Sequence, residues 1–506
     1  MVSISNSVAW WARTEPGRLA LVYGSQRLSY ADVQQRVERA AALLVARGIG
    51  PGDVVALLMK NSAAYLELSL AVSHVGAVLL PLNYRLGAEE VGYIAGHAGV
   101  RLLFVDEELA AAAPASVPTV RLDARAQDDS RVLAAPDWPV PPPHPSRADD
   151  LYRLMYTSGT TDRPKGVMHS YANMAWKCLD HLTALGIVRD DRLLVVGPLY
   201  HVGAYDLPGV ALWLAGGALV LERDFDAERT LALIARERIT GAWMAPVMLN
   251  RCLVSPQRGA HDLSSLKWLI GGGERTPEER IRAFSGVFAQ ARYVDAYGLT
   301  ETCSGDTLME AGREIEKIGS TGRALPHVSI TIRDDAGELL PAGEPGEVCL
   351  SGPKVTRGYW RDEDKTRASF FGAWFRTGDI GYLDDEGFLY LTDRKKDMII
   401  SGGENIASSE VERVVYELPQ VAEVAVIGLP DAQWGECVTA AVVLKPGQEL
   451  TLPELRAYCS GKLGGFKTPK RLVLCEALPR NPSGKVLKRE LRTRLTHPDD
   501  FSKEPK

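Results

Sequence analysis

The sequence contains no run of about eighteen uncharged apolar residues, so nothing in it predicts a membrane-spanning helix. Its N-terminus carries Glu15 and no basic-then-apolar stretch, so no secretory signal is expected. Cysteine is sparse and unpatterned: the seven residues at 178, 252, 303, 349, 437, 459 and 475 include no C-x-x-C pair and make an odd total. That usage argues against a disulfide framework or a zinc site and fits free thiols in a reducing cytosol. Positive charge is not in excess either, and a formal net charge of −6 argues against nucleic acid as a partner. What remains is ordinary globular composition, 46% hydrophobic and 24% charged, in a 506-residue chain too long for a single core. The reading is a soluble, cytoplasmic protein of several domains, with no nucleic-acid partner and no integral membrane contact.

Short apolar runs alternate with longer amphipathic ones over most of the chain. They include 54–59, 77–82, 102–105, 151–156, 193–196, 218–221, 241–244 and 266–270, mostly separated by helical patterns. Strand and helix in alternation predict an α/β fold with parallel sheets covered by helices. The Ala-rich stretch 110–116 and the Pro-rich run 136–145 read as surface loops or a linker. Beyond about residue 325, short strands at 329–333, 347–351 and 388–392 are separated by Asp-Asp, Gly-Glu and Pro-Gly turns, as in a small β-rich unit. Five charges at Asp393-Arg394-Lys395-Lys396-Asp397 then break the apolar pattern, as a solvated turn or a hinge would. After them the pattern predicts helices over 406–418 and 452–463 and strands over 421–429 and 438–444, a compact final unit.

The most informative segment is Tyr156-Thr-Ser-Gly-Thr-Thr-Asp-Arg-Pro-Lys165-Gly166, which lies between an apolar run and a helical segment starting near Tyr171. A loop of that composition presents backbone N–H groups, hydroxyls and one cation to a polyphosphate. It is not the commoner phosphate loop, because Gly166 and not Ser or Thr follows Lys165. A Ser/Thr/Gly-rich surface turn is the simpler account of such a cluster taken alone.

Five further segments weigh against that simpler account. Pro198-Leu-Tyr-His201-Val202-Gly203 sets a His in an apolar turn, where a packed core residue is the ordinary alternative. Gly271-Gly272-Gly273-Glu274 lets a flat ligand approach the backbone. Tyr297-Gly298-Leu299-Thr300-Glu301 offers an aromatic plate, a hydroxyl and a carboxylate. Thr377-Gly378-Asp379 reads as an exposed Asp in a turn, and Asn481-Pro-Ser-Gly-Lys485 as a lysine on a loop. Together they suit a nucleotide, with a plate for the base, carboxylates for ribose and Mg²⁺, donors for the phosphates and a mobile cation for charge developing at phosphorus.

In this order and spacing, the segments from Tyr156 to Lys485 resemble the core motifs of the adenylate-forming superfamily, which unites acyl- and aryl-CoA synthetases, luciferases and peptide-synthetase adenylation domains. The resemblance implies a large N-terminal adenylation domain, 1–395, of helix-covered parallel sheets with a small β-rich subdomain, and a mobile α+β domain, 396–506. It implies ATP, Mg²⁺ and coenzyme A as co-substrates. Thr157, Ser158, Gly159, Thr160, Thr161 and Lys165 would form the phosphate loop, and Tyr297 would stack on adenine with Gly273, Glu274 and Arg275 along its edge. Thr300 would meet the α-phosphate, Glu301 would hold Mg²⁺, Asp379 and Arg394 would take the ribose, and Lys485 would serve adenylation. Lys396 would be the hinge, exchanging Lys485 for the loop around Gly402 and Gly403, and His201 would lie near the bound carboxylate and the thioester tunnel. One departure stands out: Asp162 occupies a position that is usually Gly, where Asp tolerates the left-handed backbone but brings charge near a triphosphate.

Trp434 resembles the aromatic that contacts CoA in such ligases, and Arg85, Lys470 and the basic C-terminal region would meet CoA phosphates, although a solvated helix face explains such a tail equally. Val202, Tyr205, Trp243, Met244, Gly298, Cys303 and Ser304 are expected to wall the acid pocket, with the helix around Trp176–Asp180. Tyr205, Asp206, Ser304 and Asp306 are offered as partners for a substituent. The mixture suits an aromatic or medium- to long-chain acid, and the resemblance is to benzoate-, feruloyl- and fatty-acyl-type ligases. The alternatives are an adenylating enzyme that loads a carrier protein, a silent binding protein and, last, oxidative luciferase chemistry; a homodimer is compatible with any of them.

Overall fold

The computed structural model describes residues 3–123, 138–157, 164–272, 276, 278–394, 397–401, 404–431, 434–460, 462–480 and 486–496. Ser158, Gly159, Thr160, Thr161, Asp162, Gly273, Glu274, Arg275, Lys396, Gly402, Gly403 and Lys485 lie outside the described residues. The chain divides into two compact units, Met1–Ile330 with Leu350–Phe375, and Thr331–Cys349 with Arg376–Lys506.

Two sheets build the first unit. One has the strand order Thr119–Leu122, Val100–Asp106, Val54–Leu58, Val78–Pro81, Leu151–Thr157, Lys165–Ser170, parallel except for the last pair. Every residue of Val54–Leu58 is buried, as an unbroken aliphatic run in a sheet covered on both faces requires. The other sheet runs Arg323–Ala324, Thr307–Leu308, Arg292–Tyr297, Trp268–Gly272, Gly241–Met244, Arg192–Val195, Ala218–Leu221, Leu19–Tyr23, Gln26–Ser29. Its six central strands are parallel and its margins antiparallel. The doubly covered parallel sheets are the α/β architecture that the alternating pattern predicts.

The differences from the sequence reading have local causes. Lys165 opens a strand instead of standing in a loop, because Lys165–Ser170 folds back antiparallel on Leu151–Thr157. Gly271 and Gly272 end a strand, and a Cβ on Gly271 would fall 1.7 Å from the Tyr293 hydroxyl, so close packing fixes that glycine. Part of the Ala-rich stretch winds into a short 3-10 segment, Glu107–Ala112. Helix Tyr171–Leu185 starts where Ser170 and Asn173 form a reciprocal capping box and stops at left-handed Gly186.

In the second unit the long hairpin Val421–Asp431 and Gly435–Leu444 carries Arg471–Leu474 and Ile399–Ser401 at its flanks. Alternation divides its side chains between two small cores. Val426, Val438 and Val442 pack with Val411, Val415 and Leu455, while Ala425, Ile427 and Ala441 pack with Leu478 and Leu491. The helices Ser408–Tyr416 and Leu452–Cys459 are shorter than their apolar patterns suggest. Among the described residues, no helix is long and apolar enough to cross a membrane.

Candidate active site

The hairpin sets Thr157 directly opposite Lys165 in its last pair before the connecting segment. A segment from Thr356 to Trp360 lies along the second strand: Trp360 N–H donates to the Gly166 carbonyl (2.7 Å), Met168 N–H to that of Gly358 (3.2 Å) and the Thr356 hydroxyl to that of Met168 (2.6 Å). This clamp sets the Tyr359 ring against the Lys165 ammonium, 5.7 Å from the ring centroid. The Tyr359 hydroxyl donates to Glu301 Oε1 at 2.9 Å, and Thr356 N–H donates to the Glu301 carbonyl at 2.7 Å. Burial and the neighbouring Lys365 lower the Lys165 pKa, against the opposing pull of Glu301 and Asp362. Burial raises that of Tyr359, which stays a phenol and a donor.

Thr300 and Glu301 open a short 3-10 turn beyond the strand Arg292–Tyr297, and both remain partly exposed. His169 meets the Thr300 carbonyl through Nε2 at 2.6 Å, and Arg153 Nε–H donates to His169 Nδ1 at 2.9 Å. Arginine only donates, so Nδ1 accepts and the imidazole proton sits on Nε2, pointed at Thr300. Arg153 holds Asp206 with both arms of its guanidinium, one at 2.9 Å. All three side chains are buried. Burial, with the Arg153 charge beside it, depresses His169 to about 3, so the ring is neutral. Burial pushes the Asp206 carboxyl up, but Arg153 outweighs it and holds the group below its ordinary value.

Cys303, Ser304 and Gly305 take left-handed conformations in succession, with φ of 57°, 70° and 63°. Two of them are not glycine, which stores strain that the surroundings must hold. Lys354, itself fully buried, supplies the hold: its ammonium donates to the Ser304 carbonyl (3.0 Å) and the Gly305 carbonyl (2.5 Å) and pairs with Asp306 Oδ1 (2.9 Å). Thr302 donates to the other Asp306 oxygen. Gly298 packs against this loop, since a Cβ there would lie 2.3 Å from the Gly305 nitrogen. Asp206 and Asp306, offered by the sequence to a substrate substituent, are thus each committed to a buried cation. The Tyr205 hydroxyl accepts from Trp213 Nε1 at 2.9 Å.

Along the expected acid wall, His201 Nδ1 accepts from Gly203 N–H at 3.1 Å, which leaves its proton on Nε2. Burial lowers its pKa, with Asp206 opposing. The Trp243 ring lies 6.3 Å from the imidazole, tilted by 35°. Gly197 and Gly203 make room for the indole, because a Cβ on either would approach it to 2.9 or 3.1 Å. Trp243 is buried, yet its Nε1 has no partner among the described residues. Met244, the next residue, turns to the opposite face and packs in the core with Leu194, Leu231 and Leu269, so it does not share Trp243's wall. Val202 packs with Met155, Val167 and Tyr359, joining this wall to the phosphate side. On the expected wall helix, Trp176 is exposed beside His327, whereas Lys177 and Cys178 are buried. Tyr297 ends its strand nearly buried.

In the second unit, Asp379 is a buried residue of the strand Trp374–Leu383, not an exposed turn residue. Gly378 kinks the strand at φ 72°, with its N–H on Glu347 Oε1 (3.2 Å) and the Thr377 hydroxyl on the Val348 carbonyl (2.7 Å), which explains the turn-like sequence. Strand register pairs Asp379 with Arg394, bringing the two expected ribose ligands opposite each other. Trp434 is exposed with the Lys470 ammonium 3.5 Å from its ring centroid, whereas Arg85 stacks on Tyr84 in the first unit. Arg153, His169, Lys354 and Tyr359 escaped the sequence reading. The available signal was a charged or polar residue inside an otherwise buried strand, as at Arg153 within Leu151–Thr157.

Known proteins resemble this chain over nearly its whole length. The AMP-binding enzyme family matches residues 8–360, and the AMP-binding enzyme C-terminal domain matches residues 410–485. A feruloyl-CoA synthase from an Amycolatopsis species is 38% identical, over 96% of this chain and 97% of its own length. A long-chain-fatty-acid–CoA ligase of Mycobacterium tuberculosis is 37% identical over 92% and 93%. The o-succinylbenzoate CoA synthetase of Bacillus subtilis, solved with its acyl-adenylate intermediate, superposes with a TM-score of 0.87 at 31% identity, covering 96% of this chain and 98% of that one. The chain belongs to the AMP-binding enzyme family, within its acyl-CoA synthetases.

Proposed function

We propose that the chain is an ATP-dependent carboxylic acid–CoA ligase working in the cytoplasm on an aromatic or medium- to long-chain acid. A carboxylate oxygen attacks the α-phosphorus of ATP, the bond to the β-phosphate oxygen breaks, and acyl-AMP and pyrophosphate form. The CoA thiolate then attacks the acyl carbon, and the acyl–oxygen bond to AMP breaks. The observation that carries this reading is the grouping of Thr157, Lys165 and Glu301 around Tyr359, with Thr300 held beside them by His169.

Each side chain then has a task. Lys165 and the hydroxyls of Thr157, Ser158, Thr160 and Thr161 take the outer phosphates. Glu301, its orientation fixed by Tyr359, would hold a Mg²⁺ ion that arrives with ATP, and that ion would supply positive charge beside the phosphates. Thr300 meets the α-phosphate, and neutral His201 offers its Nε2–H to the acid carboxylate. Tyr297 stacks on adenine, Asp379 and Arg394 bind ribose, and Lys485 stabilises charge at phosphorus. Lys396 serves as the hinge between the half-reactions, and Gly402, Gly403, Trp434, Lys470 and Arg85 meet CoA.

The test is a panel of aryl and alkyl carboxylic acids with ATP, Mg²⁺ and CoA, read as AMP release. Acid-dependent release that requires CoA is the expected result. Acid-dependent pyrophosphate exchange without CoA-dependent AMP release would assign the acceptor to a carrier-protein thiol instead. Absence of exchange with every acid would refute the reading.

A further inference from the structure

Lys177 has no exposed surface, and its ammonium has no hydrogen-bond partner among the described residues. It lies on the inner face of helix Tyr171–Leu185 with Asn173 and His181, four residues to either side, while Trp176 and Leu179 face outward. Ionisable groups within its electrostatic reach include Cys178, Asp206, Arg153 and Cys303, with His181 also sensing its charge, and burial lowers the pKa of Lys177. Asp206, the carboxylate among them, has no free oxygen. Both Asp206 oxygens are taken by Arg153, Asp306 is taken by Lys354 and Thr302, and Asp180, on the same helix, gives one oxygen to His327 at 2.7 Å and keeps the other buried without a partner among the described residues. Arg153 and Lys354 are thus each matched by one carboxylate, Asp206 and Asp306, whereas Lys177 makes no ion pair among the described residues. Leaving an ammonium buried without an acceptor is costly, and such orphans mark a missing partner.

The place of the orphan identifies that partner. Asp206 and Cys303 stand near the far ends of the two segments whose near ends carry His201 and Thr300, the groups assigned to the reacting carboxylate and phosphate. Arg153 spans the gap, holding His169 and through it Thr300 on one side, and on the other Asp206, which feels the charge of Lys177. Lys177 thus lies away from the reacting centre but on the same buried network. We propose that Lys177 determines specificity by receiving a hydrogen-bond acceptor, carboxylate or phenolic oxygen, at the end of the substrate acid remote from the carboxyl that is activated. The proposal rests on the acid–CoA ligase reading and names the class of acid that reading leaves open: one with a second, polar terminus.

Matched acids test it: cinnamate against its para-hydroxy and para-carboxy derivatives, and octanoate against octanedioate. Wild-type protein should favour the member with the distal acceptor by at least about tenfold, both in kcat/KM for AMP release and in affinity by calorimetry without ATP. Lys177→Met should erase that preference while kcat/KM for the plain acids changes less than about threefold, and Lys177→Arg should retain part of it. The relative performance of the para-hydroxy and para-carboxy acids tells a neutral acceptor from an anionic one. Replacing a buried orphan charge by an apolar side chain of similar length should not lower the melting temperature; if Lys177→Met nevertheless fails to fold, the wild-type pairs decide. A wild-type preference for the plain acids in every pair, no binding of any acid, or a preference that survives Lys177→Met would each overturn the proposal. Calorimetric preference without AMP release from any acid would instead refute the ligase reading and leave the role of Lys177 standing.

Discussion

Arg153 and His169 face each other across the hairpin, Nε to Nδ1 at 2.9 Å, and this contact decides which way the imidazole proton points. Because Arg153 fills Nδ1, His169 donates from Nε2 to the carbonyl of Thr300 and fixes the peptide from which the Thr300 side chain projects. The other end of Arg153 neutralises Asp206. One buried arginine therefore ties the expected phosphate contact to the expected acid pocket.

Replacing Arg153 by Met should separate stability from positioning. The single variant leaves Asp206 buried without its main partner, a change that costs about 3–5 kcal/mol in comparable pairs, with Lys177 close enough to offset part of it. Adding Asp206→Leu should recover most of that loss in chemical denaturation. It should not recover pyrophosphate exchange, which we expect to stay roughly tenfold down because His169 no longer has a fixed tautomer. Full recovery of exchange in the double variant would show that Arg153 matters only for stability.

The same histidine makes the fold sensitive to acid. His169 is depressed from 6.5 to about 3 by burial and by Arg153, and burial also lowers His181 and His201. Each is neutral when folded, whereas the unfolded chain takes up its protons as pH falls through about 6.5, so stability is lost in that direction. Denaturation midpoints should fall steadily between about pH 6.5 and 4, and His169→Gln should reduce the slope by about one proton. An unchanged slope would mean that His169 titrates normally in the folded protein.

Tyr359→Phe removes one hydroxyl and keeps the ring against Lys165 and Val202. The lost interaction is a hydrogen bond to a carboxylate, worth about 1.5–3 kcal/mol where fully expressed. Glu301 then loses its fixed orientation, and the KM for Mg-ATP should rise about tenfold with the KM for the acid unchanged. A matched rise in both would point to a general loosening of the hairpin.

What the sequence made legible were features written in contiguous residues. The aliphatic runs Val54–Leu58 and Leu193–Val195 read directly as buried strands, and the hydroxyl-rich loop, Thr300 and Glu301 stood out by their neighbours. Arg292–Tyr297 did not, because Arg-Tyr-Val-Asp-Ala-Tyr mixes charges into a central strand whose burial comes from the sheets around it. Asp379 was misread because Thr-Gly-Asp serves a kinked strand as well as a turn. Tyr359 lies 58 residues beyond Glu301 and His169 lies 131 before Thr300, so those partnerships exist only in three dimensions. Trp243 and Met244 looked equally suited to a pocket until strand alternation sent them to opposite faces.

Trp243 gives the remaining prediction. Its indole occupies space that Gly197 and Gly203 leave open beside His201, and its Nε1 has no acceptor among the described residues. Truncation to Ala removes a large buried ring, at a cost of about 3–5 kcal/mol if the space stays empty. An acid long or broad enough to fill the vacated volume should restore part of that stability. In an acid panel, Trp243→Ala should therefore shift the optimum toward bulkier acids, with kcat/KM for the smallest ones falling roughly tenfold or more. Melting temperatures with each acid at equal concentration should rank the same way, because a ligand that binds only the folded state raises stability with the logarithm of one plus its concentration over Kd. A uniform loss across the panel, with no acid favoured by the variant, would place Trp243 in the core and not on the wall of the acid pocket.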